Sequence, residues 1–64
     1  MMTAYDIFSL AIELKNSSTD RLKDNWTIGG LMFILEDAYR LEDKNPKLYE
    51  YRKMIENAID RMMK

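Results

Sequence analysis

The longest unbroken run of apolar residues in this chain, Leu31 to Leu35, limits what the chain can fold into. Five large apolar residues in succession cannot share one stripe of an α-helix, because 3.6 residues complete a turn. A helix through this run presents apolar side chains on nearly every side. A chain of 64 residues has few elements with which to cover it. The run therefore predicts a central packing helix that a second chain helps to bury.

The composition excludes several kinds of functional site. The chain has no cysteine and no histidine, which excludes disulfides, thiolate metal sites, the commonest metal ligand and the usual general base. A nucleophilic serine would lack its base, and the chain is too short to enclose a pocket that excludes water. We therefore expect a protein that is not an enzyme, with no catalytic residue, no cofactor and no metal site.

Two patterns resemble ligand sites only superficially. The pair Gly29-Gly30 lacks the lysine and the spacing of a phosphate-binding loop, so we interpret it as a bend or a close packing contact. Four acids follow it without the alternation and central glycine of a calcium loop. We interpret these acids as a solvated charged face; they are Glu36, Asp37, Glu42 and Asp43.

The first helix is predicted over residues 4–15. Thr3 is a suitable N-cap, and Asp6 stands three residues later in the position of a capping-box acid. Ile7, Phe8 and Ala11 begin an apolar face at helical spacing. The helix should stop near Asn16, a residue type that tolerates the left-handed conformation.

The chain between the first and second long helices allows two interpretations. In one, a helix starts near Asp20 and runs unbroken to Glu42 through the glycine pair. In the other, residues 20–25 form a short helical turn, and the second helix begins after Thr27, a suitable N-cap. Because each interior glycine weakens a helix by about 1 kcal/mol relative to alanine, we favour the second interpretation, with a break within residues 24–28.

The second and third helices are predicted over residues 28–43 and 46–62. Asn45-Pro46 is the sharpest helix-start signal, because asparagine is a good N-cap and proline suits the first helical position. The third helix is the most regular of the three. Its apolar residues recur at three- and four-residue spacing and resemble a heptad seam, with mixed charge on the other side.

These elements predict an all-α fold, a three-helix antiparallel hairpin or bundle forming a single domain over residues 1–64. Apolar residues make up 47% of the sequence, a rich content for a chain whose lone core would be marginally stable. We therefore expect a twofold homodimer to complete the fold. The residues assigned to the core or the dimer contact are Leu31, Met32, Phe33, Ile34, Leu35, Ile55, Ile59 and Met62.

The function predicted is that of a small interaction protein that inhibits or regulates a larger protein by occupying its surface. Small helical dimers of this composition are often encoded by phages and mobile elements as inhibitors of host proteins. The residues expected to contact the larger protein are Trp26, Tyr49, Tyr51 and Met63, since aromatic residues and methionine suit adaptable interfaces.

Two alternatives remain open: a transcriptional regulator whose third helix contacts DNA, and a structural subunit of a larger assembly. Ten basic residues against 11 acidic ones give a net charge of −1, which disfavours nucleic-acid binding. No apolar run approaches the roughly 20 residues of a membrane span. We expect a cytoplasmic protein, in the host cytoplasm if a phage encodes it.

Overall fold

The computed structural model describes residues 2–64 and contains four α-helices in that range. They are α1 (Ala4–Asn16), α2 (Thr19–Asn25), α3 (Ile28–Glu42) and α4 (Leu48–Met62). The prediction of an all-α fold is confirmed. The structure has four helices where we expected three, because the segment interpreted as a short turn is a full helix. Ser18 caps that helix by accepting a hydrogen bond from the Arg21 amide at 3.2 Å.

Side-chain caps fix where α1 and α3 begin. Thr3 Oγ1 accepts from the Asp6 amide at 3.2 Å, and the Asp6 carboxylate accepts from the Thr3 amide at 2.9 Å, which completes the predicted capping box. Thr27 Oγ1 accepts from the Gly30 amide at 3.0 Å. Trp26 and Thr27 are both extended, so the predicted break before Gly29-Gly30 is confirmed and no helix runs from Asp20 to Glu42.

Two predicted helix ends differ from the structure. α1 stops at Asn16, but Ser17 follows in an extended conformation and no described residue outside glycine has a positive φ, so no left-handed cap is used. α4 begins at Leu48 rather than Pro46. Asn45-Pro46 instead starts a tight turn, in which the Leu48 amide donates to Asn45 O and the Tyr49 amide to Pro46 O. These bonds span three residues, and the N-cap position of α4 falls at Lys47, with no side-chain cap.

The three long helices lie side by side, and α2 lies at one end of them. The rings of Phe8 in α1 and Tyr51 in α4 meet edge to face with centroids 4.5 Å apart, and Arg61 reaches the carbonyl of Leu14, so α1 and α4 run parallel. Tyr39 near the end of α3 contacts Glu56 of α4, and Glu42 contacts Arg52. α3 therefore runs opposite to α4, and to α1.

All four helices contribute to one core. Its buried side chains are Ile7, Ala11, Leu14, Leu22, Leu31, Ala38, Leu48, Ile55, Ala58 and Ile59. The accessible surface is 4491 Å², close to the roughly 4,300 Å² expected for a folded monomer of this size. One chain therefore covers its own core.

The apolar run of α3 is only partly buried in this fold. Leu31 is fully buried, and Ile34 and Leu35 pack against the core as half-buried residues. Met32 and Phe33 are 53% and 75% exposed. The single chain therefore does not bury the run on every side. The other helices cover one side of α3 and leave these two side chains facing outward.

Candidate interaction surfaces

The only tryptophan of the chain lies in a surface groove. Trp26 and Glu13 both line two pockets, of about 350 and 340 Å³, which therefore adjoin. We call these pockets together the Trp26 groove. The first is completed by Asn16, Ser17, Arg21 and Asn25, and the second by Met2, Asp6, Ser9, Leu10 and Ile34.

Local structure holds Trp26 at this place. It is the C-cap of α2, and its amide donates to Leu22 O at 2.9 Å. Its side chain is half-buried and packs against the core, so the indole is both anchored and accessible. The groove changes character along its length, since Leu10 and Ile34 give apolar surface in one pocket while Arg21 and the neighbouring amides give hydrogen-bonding groups in the other. Such a surface suits an amphipathic segment of another protein.

A second exposed surface lies on α3. Gly29, Met32, Phe33 and Glu36 are exposed and spaced as i, i+3, i+4 and i+7, which places them on one side of the helix. We call this set the α3 outer face. A methyl group added at Gly29 would meet no atom within 4 Å. The backbone is therefore bare at this point, beside two large apolar side chains.

A cluster of polar and aromatic side chains joins α3 to α4. The guanidinium of Arg52 lies 4.4 Å from the ring centroid of Tyr39 and 4.9 Å from that of Tyr49. Its Nε donates to Glu42, and one terminal nitrogen donates to Glu56, each at 2.5 Å. The Tyr39 hydroxyl also donates to Glu56 Oε1, at 2.6 Å. We call these five residues the Arg52 cluster.

The hydrogen bonds of the Arg52 cluster shift the acidity of its members. Donation from the Tyr39 hydroxyl, helped by Arg52, lowers the pKa of Glu56 below its usual 4.5. The same bond to Glu56 raises the pKa of Tyr39 above 10. Hydrogen bonding to Glu42 raises the pKa of Arg52 further. Arg52, Tyr39, Glu42 and Glu56 are thus joined by hydrogen bonds, and the cluster acts as a cross-link between two helices.

Sequence reasoning missed the Arg52 cluster. The Arg52–Glu56 pair has the i, i+4 spacing of a helical ion pair and could have been read from the sequence. The contacts to Tyr39 and Glu42 depend on how far α3 and α4 are shifted along each other, which no local pattern specifies. Glu36 also stands four residues before Arg40, the spacing of a helical ion pair, but the structure pairs Arg40 with Asp37.

The four residues predicted to contact a partner do not form one surface. Trp26 lines its groove, and Met63, 67% exposed, lies at the same end of the molecule, where α2 meets the end of α4. Tyr49 and Tyr51 lie at the other end of α4. Tyr49 is 48% exposed and Tyr51 is half-buried against Phe8. The two tyrosines line one pocket of about 370 Å³ with Pro46, Lys47 and Glu50.

The residues predicted for the core or the dimer contact divide between inside and outside. Leu31, Ile55 and Ile59 are buried in the core. Ile34, Leu35 and Met62 are half-buried against it, and Met32 and Phe33 belong to the α3 outer face.

Residues 2–64 contain no group of three acidic, histidine or cysteine side chains placed to hold a metal ion. Within the same range, no helix combines the length and apolar character needed to cross a membrane. No protein-family model, curated protein or solved structure matches this chain.

Proposed function

We propose that this protein is a small helical binding module that regulates or inhibits a larger protein by docking on it through the Trp26 groove. One observation carries the proposal: the sole tryptophan is anchored to the core yet forms a wall shared by two adjoining pockets. Tryptophan is among the residues that dominate binding energy at protein interfaces, especially when its position is fixed before binding. Inhibition by such a module requires only that it cover a functional surface of its partner.

The rim of the groove supports a protein partner. Glu13 and Arg21 carry opposite charges on the rim, and Asn16 and Asn25 add amides. Mixed charge gives orientation and specificity at a protein interface, whereas a nucleic acid needs an excess of basic groups. The proposal includes a cytoplasmic location, in the host cytoplasm if the gene is carried by a phage.

The contacts of α4 weigh against DNA binding through this helix. Arg52 is held between two tyrosines and two glutamates, and Arg61 donates to backbone carbonyls at the end of α1. Both guanidinium groups would have to leave these contacts to reach phosphate or base edges. The alternative of a structural subunit differs from this proposal in one respect: the larger protein would be a permanent partner in an assembly.

The experiment is affinity capture from the native cell with the tagged protein and two charge-reversal variants. Glu13→Arg changes the residue shared by both pockets, and no side-chain hydrogen bond of Glu13 holds the fold together within residues 2–64. Asp60→Arg is the matched control, an exposed acid of α4 that lines neither pocket. We expect a partner that wild type and Asp60→Arg retain equally and that Glu13→Arg loses at least about tenfold.

Trp26 provides a second readout. It is the only tryptophan, so its fluorescence reports on the groove when a partner without tryptophan, or with its own tryptophans substituted, is titrated. Binding should move the emission to shorter wavelength as the indole loses water. Capture that Glu13→Arg does not reduce would contradict the proposal. Salt-sensitive retention on heparin, with no protein captured, would favour the DNA-binding alternative.

A further inference from the structure

We propose that the α3 outer face binds a second copy of this chain, as an antiparallel, twofold-symmetric pair of α3 helices. Gly29, Met32, Phe33 and Glu36 form this face, and none of them lines the Trp26 groove. Association through this face and docking through the Trp26 groove use different residues, so either can occur without the other.

Gly29 is the first observation. It lies in the first turn of α3 with a negative φ, and an added methyl group would meet nothing within 4 Å. The fold of the single chain therefore gives no reason for a glycine here, although glycine disfavours a helix relative to alanine. A glycine on an exposed side of a helix lets another backbone approach closely. A neighbouring helix would supply the missing reason.

Met32 and Phe33 are the second observation. They follow Gly29 by one helical turn on the same side, and their side chains are 53% and 75% exposed. Isolated exposed apolar residues are normal on a protein surface. Here two large ones adjoin a bare stretch of backbone, so that the face has a ridge and a shallow depression next to each other.

The spacing of the residues on this face selects a second copy as the occupant. In an antiparallel pair that sets Gly29 against Glu36 of the other chain, Met32 falls opposite Phe33, and symmetry repeats both contacts. Each depression then receives part of the opposite chain, and sulfur meets an aromatic ring twice. The face is thus complementary to itself in one register.

Glu36 supplies the charge complementarity. α3 has no acidic residue in its first turn, whereas α1, α2 and α4 each have one. The antiparallel register brings Glu36 of one chain to this first turn of the other, where the helix dipole favours a negative charge. Glu36 is exposed and forms no ion pair within the part of the chain that the structure describes.

The small exposed area indicates a weak association. Met32 and Phe33 together expose on the order of 250 Å² per chain, well below the roughly 800 Å² that each partner buries in a stable interface. Because each chain already covers its own core, the pair is an association of folded monomers. We expect a dissociation constant on the order of 100 µM.

The test is sedimentation equilibrium of the full chain from about 10 µM to about 1 mM, a range that brackets a weak interface. The apparent mass should rise towards twice that of the chain. Phe33→Glu should weaken association at least about tenfold, because the interface then buries two unpaired charges. Tyr5→Glu is the matched control: Tyr5 is also 75% exposed, lies on α1 and undergoes the same change of charge. It should leave association unchanged.

Two further variants test the register. Gly29→Leu fills the depression and should weaken association about as much as Phe33→Glu, while circular dichroism shows an intact helix content. Glu36→Lys places a positive charge at the positive end of the opposite helix and should also weaken it. A wild type that stays monomeric throughout the range overturns the proposal. So do Phe33→Glu and Tyr5→Glu having equal effects, or Glu36→Lys having none.

Discussion

The two adjacent glycines show how differently neighbouring residues can be constrained. Gly30 belongs to the cap of α3, because its amide donates a hydrogen bond to Thr27 Oγ1. A methyl group added at Gly30 would lie 3.0 Å from the same oxygen. Gly29 meets nothing in the chain. Neither glycine forms the bend, since the break in the helix falls at Trp26 and Thr27, which are extended.

Alanine substitution separates these two glycines. Gly29→Ala should raise the free energy of unfolding by about 0.5–1 kcal/mol, through helix propensity and reduced freedom of the unfolded chain. Gly30→Ala should gain less or lose stability, because the threonine cap has to shift. Urea unfolding at low micromolar concentration, where self-association is negligible, measures both. Equal gains would show that the contact with Thr27 costs nothing.

At the scale of elements, local side-chain chemistry made α1 and α3 predictable. Thr3 with Asp6, and Thr27 before Gly30, are hydrogen-bonding patterns that need no information from the rest of the fold. α4 was predicted two residues too long, because Asn45-Pro46 closes a tight turn in place of capping the helix. Its amphipathic pattern still identified Ile55 and Ile59 as core residues.

The remaining features depend on how the elements pack, and the sequence could not specify them. The seven residues of α2 include only one buried side chain, Leu22, so no apolar periodicity announces the helix. The apolar run of α3 correctly indicated a packing helix but did not show which side stays exposed. The Trp26 groove combines residues of α1, α2 and α3. Trp26 could be singled out by its type, but its neighbours could not.

Arg61 is the side chain that ties three elements together, and its removal should loosen one of them selectively. Its guanidinium donates to Ser17 O at 2.6 Å, to Leu14 O at 3.4 Å and to Thr19 Oγ1 at 3.3 Å. Arg61→Ala should lower the free energy of unfolding by about 1–2 kcal/mol. Hydrogen exchange should become faster mainly in residues 17–25.

Arg40→Ala is the control for this prediction. Arg40 forms an ion pair with Asp37, and the Arg40 side chain is 55% exposed. Its removal should therefore change the free energy of unfolding by no more than about 0.5 kcal/mol. If hydrogen exchange in residues 17–25 were as slow in Arg61→Ala as in wild type, the linking role of Arg61 would be wrong.

The whole molecule should keep a constant stability between about pH 5 and pH 7. The chain has no histidine and no cysteine, so no side chain has an ordinary pKa between about 5 and 9. The groups with shifted pKa values lie on either side of this interval. Those of Asp6 and Glu56 are lowered, by hydrogen bonds from Thr3 and from Tyr39, and that of Tyr39 is raised.

These shifts give a stability profile that falls at both ends. A carboxylate whose pKa is lower in the folded state stabilises it above the unfolded value, and this contribution is lost as the pH falls through the folded pKa. For Glu56 and Asp6 the loss of this stabilising contribution should begin below about pH 4.5. Tyr39 has the opposite sign, so its contribution is complete below pH 10 and is lost as the pH rises further.

Urea unfolding of wild type and Glu56→Gln between about pH 3 and pH 11 tests this profile. Glutamine cannot ionise, and it gives up the ion pair with Arg52. The variant should therefore be less stable than wild type at pH 7 and lose less of its stability on acidification, so that the two curves converge towards pH 3. Curves that remain parallel in acid would show that Glu56 does not contribute to the acid limb. A step in wild-type stability between about pH 5 and pH 7 would be equally contrary, because no group of this sequence ordinarily titrates there.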